Sequence, residues 1–127
     1  MDFERYVEDF NRYDARELVE RWYADDVVVE LAGHLIRGKA DWTALLEDAA
    51  RGVRRTVRPV TVVQAGGVVM AELDETCVAP EGRADFPLGP LEPGKPSTFK
   101  LFAVYRLRDD RIASVRIAFW PDPLPGR

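Results

Sequence analysis

The sequence predicts an α+β domain in which helices pack on one face of a mostly antiparallel sheet. Apolar residues recur at helical spacing over about residues 3–23 and 41–50, whereas from residue 56 onward they alternate with period two. Helices followed by a run of strands are typical of α+β proteins. The length of 127 residues and the hydrophobic content of 46% suit one domain over residues 1–127.

The first two helices are marked by apolar stripes and by a capping signal. Asp14 is the predicted N-cap of the second helix, with Glu17 three residues on as its capping-box partner. Asp25 and Asp26 are expected to end that helix. The stripes comprise Phe3, Tyr6, Val7 and Phe10 in the first helix and Ala15, Leu18, Val19, Trp22 and Tyr23 in the second.

A short hairpin and a third helix are predicted next. Residues 27–31 are rich in β-branched side chains and indicate a strand, and residues 35–37 return as a second strand after the turn at 32–34. Asp41 is the expected cap of the third helix. The buried face of this helix is predicted to hold Trp42, Leu45, Leu46 and Ala49.

Four long strands are predicted at about 56–64, 68–78, 97–108 and 111–120. Gly66-Gly67 and Asp109-Asp110 are the expected tight turns. The segment 79–96 contains five prolines and three glycines, which indicates a long excursion between two strands. Since loops of that length are often functional, we expect a mobile flap over a pocket or along a subunit edge.

The last two strands carry apolar residues on both faces. Between residues 99 and 107, Phe102 and Val104 lie opposite the face that carries Leu101, Ala103 and Tyr105. A sheet with one face in water would alternate cleanly between apolar and polar residues. A partner subunit is the simplest cover for the second face, so the pattern predicts a homodimer.

Charge and composition exclude several function classes. The net charge of −4 disfavours nucleic-acid binding, and the arginines between residues 51 and 58 are interpreted as a solvated helix end. The apolar runs are too short for a membrane span, and the acidic N-terminus is not a secretory signal. A single cysteine fits a cytoplasmic location. Without metal-ligand spacing or a glycine-rich phosphate loop, no cofactor is expected.

Two carboxylates on the strand at 68–78 are the main candidates for chemistry. Glu72 and Asp74 share one face, whereas the opposite face is apolar apart from Glu75. The shared face either lies in water or lines an apolar pocket. In a pocket, desolvation and mutual repulsion would raise both pKa values and create an acid and base pair. Cys77 is interpreted as a buried, inert thiol.

The order of elements and the segment from Tyr23 to Glu30, which reads Tyr-Ala-Asp-Asp-Val-Val-Val-Glu, resemble the NTF2-like superfamily. The stretches 71–74 and 102–107 also resemble its ketosteroid-isomerase and SnoaL-like branch. This resemblance covers nearly the whole chain. It implies a cone with three N-terminal helices on a curved sheet around an apolar pocket, often in a dimer. Members of the superfamily include isomerases, cyclases, dehydratases, epoxide hydrolases and binding domains.

The resemblance also suggests site residues. Tyr6 matches a tyrosine that donates a hydrogen bond to the substrate oxyanion in steroid isomerases, and Tyr23 matches the tyrosine that supports it. Leu31 and Ala103 stand where those isomerases have their general base and a protonated aspartate. Relative to the epoxide hydrolases, Asp74 matches an acid. However, Glu72 and Ile117 stand in place of an arginine and the second acid.

Two function hypotheses follow from these residues. The first is a cofactor-independent isomerase, cyclase or dehydratase that acts by proton transfer on a polycyclic or terpenoid-like molecule. In it, Asp74 is the base, Glu72 the neighbouring acid, Tyr6 the donor oriented by Tyr23, and His34 a proton shuttle at the pocket mouth. The second is a non-catalytic domain that binds a ligand or assembles with other subunits. The predicted substrate-binding residues are Phe10, Trp22, Leu31, Ala103, Tyr105, Ile117 and Phe119.

Overall fold

A computed structural model describes residues 1–121. These residues form three α-helices and six β-strands. In chain order they are α1 (Phe3–Arg12), α2 (Ala15–Trp22), β1 (Tyr23–Leu31), β2 (His34–Arg37), α3 (Lys39–Ala50), β3 (Arg54–Ala65), β4 (Val68–Val78), β5 (Ser97–Arg108) and β6 (Arg111–Trp120).

All six strands belong to one sheet, in the order β2-β1-β6-β5-β4-β3. Neighbouring strands are antiparallel except for β1 and β6, which are parallel. The turn between β5 and β6 has positive φ at both Asp109 (53°) and Asp110 (62°), a left-handed conformation that aspartate tolerates better than most residues. The predicted α+β class with a mostly antiparallel sheet is confirmed.

The first two helices begin at side-chain caps. Asp2 accepts a hydrogen bond from the Arg5 backbone N–H at 3.1 Å, and Asp14 accepts one from the Glu17 N–H at 2.9 Å. The predicted cap at Asp14 is therefore confirmed. Asn11 then fastens α1 to β3, because its amide exchanges hydrogen bonds of 2.7 and 2.9 Å with the backbone of Val57.

Two predicted boundaries are wrong. Helix α2 ends at Trp22 instead of at Asp25 and Asp26, because Tyr23 already has extended backbone geometry and begins β1. Helix α3 begins at Lys39 without a side-chain cap, after Gly38 with φ of +86°. Asp41 is not the cap, because it lies inside the first helical turn, where a carboxylate still interacts favourably with the helix dipole.

The helices cover one face of the sheet, called here the inner face, and the main core lies between them. Aliphatic and aromatic side chains fill it, including Tyr6, Val19, Tyr23, Val29 and Trp42. The opposite face, called here the outer face, carries no helix among the described residues. No described helix is long and apolar enough to cross a membrane.

The segment 79–96 has a small core of its own. Ala79, Phe86 and Leu91 are buried together with Cys77, and Phe99 packs against them. A backbone bridge joins Arg83 to Leu91. The excursion between β4 and β5 therefore follows the prediction in position but contains packed apolar residues. Its mobility stays a prediction.

Candidate functional site

A cavity of about 310 Å³ lies between the helices and the inner face of the sheet. Helices α1 and α3 and all six strands contribute to its wall, as does the segment 79–96. Eight of the predicted site residues line it: Tyr6, Phe10, Tyr23, Leu31, His34, Tyr105, Ile117 and Phe119. Most of the wall is apolar, which suits a largely apolar ligand.

Two predicted wall residues do not reach the cavity. Trp22 packs edge-on against Tyr6, with ring centroids 5.6 Å apart, and its indole N–H donates to Asp9 at 2.9 Å. It therefore lies behind the wall. Ala103 is buried on β5, but Leu101 and Tyr105 on the same face line the cavity instead.

Glu72 and Asp74 lie on the outer face, so the prediction that they line the pocket is wrong. Lys100 Nζ lies 2.6 Å from Glu72 Oε2 and 2.9 Å from Asp74 Oδ1, and Arg58 pairs with Asp74 at 2.8 Å. Hydrogen bonding to Lys100 lowers the pKa of both carboxyls, the reverse of the predicted shift. The two carboxylates lie on the outer face because side chains alternate along a strand. The mostly apolar set of β4 side chains faces the core, so the other set points outward.

Glu75 is the carboxylate of β4 that does line the cavity, and sequence reasoning missed its role. It is 3% exposed and forms a bidentate pair with Arg55, with N–O distances of 3.2 and 2.9 Å. Burial lowers the pKa of Arg55, but the charge and the hydrogen bonds of Glu75, together with smaller effects of Cys77 and Tyr6, raise it overall. Side-chain alternation could have revealed this role, because Glu75 is the single charged residue on an otherwise apolar face of the strand.

Three tyrosines meet on the cavity wall. The hydroxyls of Tyr6 and Tyr23 hydrogen-bond to each other, and the rings of Tyr6 and Tyr105 lie 5.8 Å apart. Burial raises the pKa of Tyr23 to about 12 and raises the pKa values of Tyr6 and Tyr105 well above their ordinary value. All three phenols are therefore neutral at physiological pH, so they can donate hydrogen bonds but do not act as bases.

Two of the donors around the cavity have spare capacity. In a pair of neutral hydroxyls one donates and the other keeps its own proton, so Tyr6 and Tyr23 together retain one proton for a ligand. The indole N–H of Trp42 is buried without a hydrogen-bond partner among the described residues. It lies near enough to Tyr23 to favour the ionised phenol, but the geometry is not that of a hydrogen bond. This wall can therefore donate hydrogen bonds to an oxygen atom of a bound ligand.

The remaining titratable candidates are His34 and Cys77. His34 begins β2 and is exposed while lining the cavity, which puts it at the mouth. Cys77 is fully buried behind Glu75 and donates to its Oε2 at 3.5 Å. Burial raises the pKa of this thiol to about 12, so it stays protonated. Within residues 1–121 no group of three His, Cys, Asp or Glu side chains could hold a metal ion.

The sequence also matches a known family. The sequence model for the SnoaL-like domain matches residues 3–115, and the chain belongs to that family. The resemblance to the SnoaL-like branch of the NTF2-like superfamily is thereby confirmed. No curated protein matches the chain.

Solved structures of the same fold include three informative neighbours. A candidate polyketide cyclase from Xanthomonas campestris pv. campestris is 24% identical, with a TM-score of 0.75 over 91% of this chain and 84% of that one. A candidate polyketide cyclase from Pseudomonas putida KT2440 is 23% identical, with a TM-score of 0.76 over 91% and 86%. An epoxide hydrolase from M. tuberculosis is 23% identical, with a TM-score of 0.67 over 91% and 80%. At these identities the likeness establishes the fold alone.

Proposed function

We propose that this protein binds a small, uncharged and mostly apolar molecule with a ketone-type oxygen, and that it catalyses proton transfer next to that oxygen. Polycyclic or terpenoid-like molecules are the substrate class. The observation that carries the proposal is the meeting of neutral phenol donors and one buried carboxylate, Glu75, on the wall of an apolar cavity of about 310 Å³. Two of the structural neighbours carry polyketide cyclase in their names, which agrees with this class.

The charges on the wall argue for an uncharged ligand. The buried ion pair of Arg55 and Glu75 is internally compensated, and the three phenols are neutral. A charged ligand would lose its hydration without gaining a free counter-ion, which is costly in an apolar site. A neutral ligand oxygen can instead accept a hydrogen bond from the one free O–H group of the Tyr6 and Tyr23 pair.

In the proposed reaction Glu75 is the general base. It removes a proton from the carbon next to the carbonyl, and the negative charge that develops on the oxygen is stabilised by a hydrogen bond from Tyr6, which Tyr23 orients. Return of the proton to a different carbon gives an isomer. Arg55 holds the Glu75 carboxylate in one orientation through two hydrogen bonds. His34 at the mouth exchanges protons with water.

A second candidate function is ligand binding without catalysis. Both Glu75 oxygens are occupied by Arg55, and one also accepts from the Cys77 thiol. With both oxygens engaged, the carboxylate offers less free acceptor capacity for a substrate proton. In this alternative the phenols and Trp42 fix the ligand oxygen and no proton moves.

Deuterium exchange distinguishes the two functions without knowledge of the natural substrate. The probe is 2-tetralone, a neutral bicyclic ketone, and NMR follows exchange of its α-protons in D₂O. We expect the protein to bind the ketone and accelerate exchange, and Glu75→Gln to reduce that acceleration by roughly 10²–10⁴-fold. Asp74→Asn, the matched change on the outer face, should leave it unchanged.

The outcomes separate clearly. Binding with equal exchange in the wild type and Glu75→Gln would overturn the catalytic role and favour the binding function. Absence of both binding and exchange would overturn the proposed ligand class. A loss of acceleration in Asp74→Asn equal to that in Glu75→Gln would contradict the assignment of the base.

We also propose that the chain acts as one cone-shaped domain over residues 1–127, as a cytoplasmic homodimer. Four large apolar side chains on the outer face support the dimer: Val63, Met70, Phe102 and Trp120 are between 45% and 66% exposed. A patch of that kind usually marks an interaction site. The lone, buried Cys77 agrees with a reducing compartment.

A further inference from the structure

Residues 84–90 form a small closed loop within the segment 79–96, and this loop reaches the cavity. At its base the backbones of Arg83 and Leu91 exchange two hydrogen bonds of 2.9 Å each. Phe86, Pro87 and Leu88 lie at its far end and line the cavity. The loop therefore supplies one wall of the site in addition to the walls made by helices and sheet.

Arg83 clamps this loop to the end of helix α3. Although it belongs to a loop, its side chain is only 6% exposed. Its guanidinium donates to the backbone carbonyls of Asp48 (2.6 Å), Ala49 (3.3 Å) and Arg51 (3.2 Å). Helix α3 has no basic residue in its last turn, so Arg83 provides the cation that its carbonyl end would otherwise lack.

The clamp joins two walls of the same cavity. Helix α3 contributes five residues to the lining and the loop contributes three: Trp42, Leu45, Leu46, Asp48 and Ala49 from the helix, and Phe86, Pro87 and Leu88 from the loop. The guanidinium of Arg83 also lies 5.5 Å from the centroid of the Phe86 ring, which in turn lies 6.4 Å from that of Phe99. Arg83 is thus the buried side chain that links the loop wall to α3, whereas the exposed Arg51 links the two at the surface by pairing with Asp48 and Asp85.

We propose that the 84–90 loop is the specificity-determining wall of the cavity, with Leu88 limiting the size of the ligand and Arg83 positioning the wall against α3. Leu88 is better placed than Phe86 to limit ligand size. Phe86 is buried in the small core of the segment 79–96, whereas Leu88 is only partly buried. This inference rests on the proposed ligand-binding function. It adds that shape selection lies in the loop and not in the sheet.

The first test varies Leu88 in both directions. Affinities are measured by fluorescence titration for 2-naphthol, 9-phenanthrol and 1-hydroxypyrene, which are neutral probes of two, three and four fused rings. Leu88→Ala should raise the ratio of four-ring to two-ring affinity by about tenfold or more, since a few methylene groups in an apolar pocket change discrimination by roughly 10–200-fold. Leu88→Phe should lower the same ratio.

The second test asks whether Arg83 acts through the loop. Arg83→Gln should shift the probe ratio in the same direction as Leu88→Ala, and Arg83→Lys, which keeps a cation for the carbonyls, should restore part of the wild-type ratio. Arg51→Gln is the matched control, because Arg51 pairs with the same Asp48 and Asp85 carboxylates but is 62% exposed and does not line the cavity. It should leave the ratio unchanged.

Each outcome bears on a distinct claim. Binding of neither these probes nor 2-tetralone by the wild type would overturn the proposed ligand class, and this inference with it. Binding of 2-tetralone but of none of these probes would overturn this inference alone. Normal binding with the same probe ratio in both Leu88 variants would overturn this inference alone. A uniform loss of affinity for all three probes in Arg83→Gln, with no change in ratio, would show that Arg83 merely stabilises the fold and would overturn its positioning role.

Discussion

The two faces of β4 carry carboxylates of the same kind in opposite environments. Glu75, on the inner face, is 3% exposed and has the guanidinium of Arg55 as its charged partner. Glu72 and Asp74, on the outer face, share Lys100, and Asp74 also pairs with Arg58. One step along a strand thus separates a cavity group from a surface network.

The difference teaches that burial, and not the number of acidic residues, identifies the chemical candidate on this strand. The outer carboxylates retain contact with water and have lowered pKa values, so they are poor proton acceptors. Glu75 has lost its water and depends on one cation. Such a pair is costly to break, and it lies where a ligand would be bound.

The largest expected effect comes from breaking the inner pair. Arg55→Met would leave Glu75 buried without its cation, and we expect a loss of about 3–5 kcal/mol in the free energy of unfolding, measured by urea denaturation. Lys100→Met is the matched change on the outer face. At protein concentrations low enough to keep the chain monomeric, it should lower the free energy of unfolding far less, because water can replace the lost ammonium.

A double variant keeps this prediction testable if Arg55→Met does not fold. Replacing both partners, as Arg55→Met with Glu75→Leu, removes both buried charges and should recover most of the lost stability. Equal losses in Arg55→Met and Lys100→Met would contradict the distinction between the two faces.

The second prediction concerns what covers the outer face. If two subunits meet through the patch of Val63, Met70, Phe102 and Trp120, Phe102→Glu should convert a micromolar dimer into a monomer in sedimentation velocity, since it puts a charge into an apolar interface. Val62→Glu is the control, because Val62 is also exposed but lies in the groove between α1 and β3. A wild-type monomer at micromolar concentration would refute the dimer.

The smallest expected effect is a dependence on acid pH that belongs to the outer face. Folding lowers the pKa values of Asp74 and Glu72 from their ordinary 3.8 and 4.5. Their contribution to stability is therefore complete above those ordinary values and is lost as the pH falls through the lowered ones. The stability advantage of the wild type over Lys100→Met should be constant near neutral pH and shrink below about pH 4.5. An advantage that grows on acidification would contradict the pairing.

Much of the fold was predictable because its signals are local. Asp14 followed by Glu17 marked the start of α2, and period-two alternation marked the four long strands within about two residues of their observed limits. Tyr6 and Tyr23 were predicted from the resemblance, and both line the cavity. The last residue of α2 and the first residue of α3 were less predictable. Backbone geometry at Tyr23 and Gly38 decided these boundaries, and no side-chain cap marked them.

The sequence by itself determined the fold class, the alternation of β4 and the isolation of Glu75 on an apolar face, since these depend on periodicity within one element. Only the tertiary structure decided that this face borders the cavity, that Arg55 from the neighbouring strand pairs with Glu75, and that Arg83 caps a helix more than 30 residues away. The physical reason is that contacts between distant residues depend on strand register and on loop paths. Local propensities do not encode strand register or loop paths. The high cost of burying a charge without its partner does favour a register and a loop path that bring the partners together.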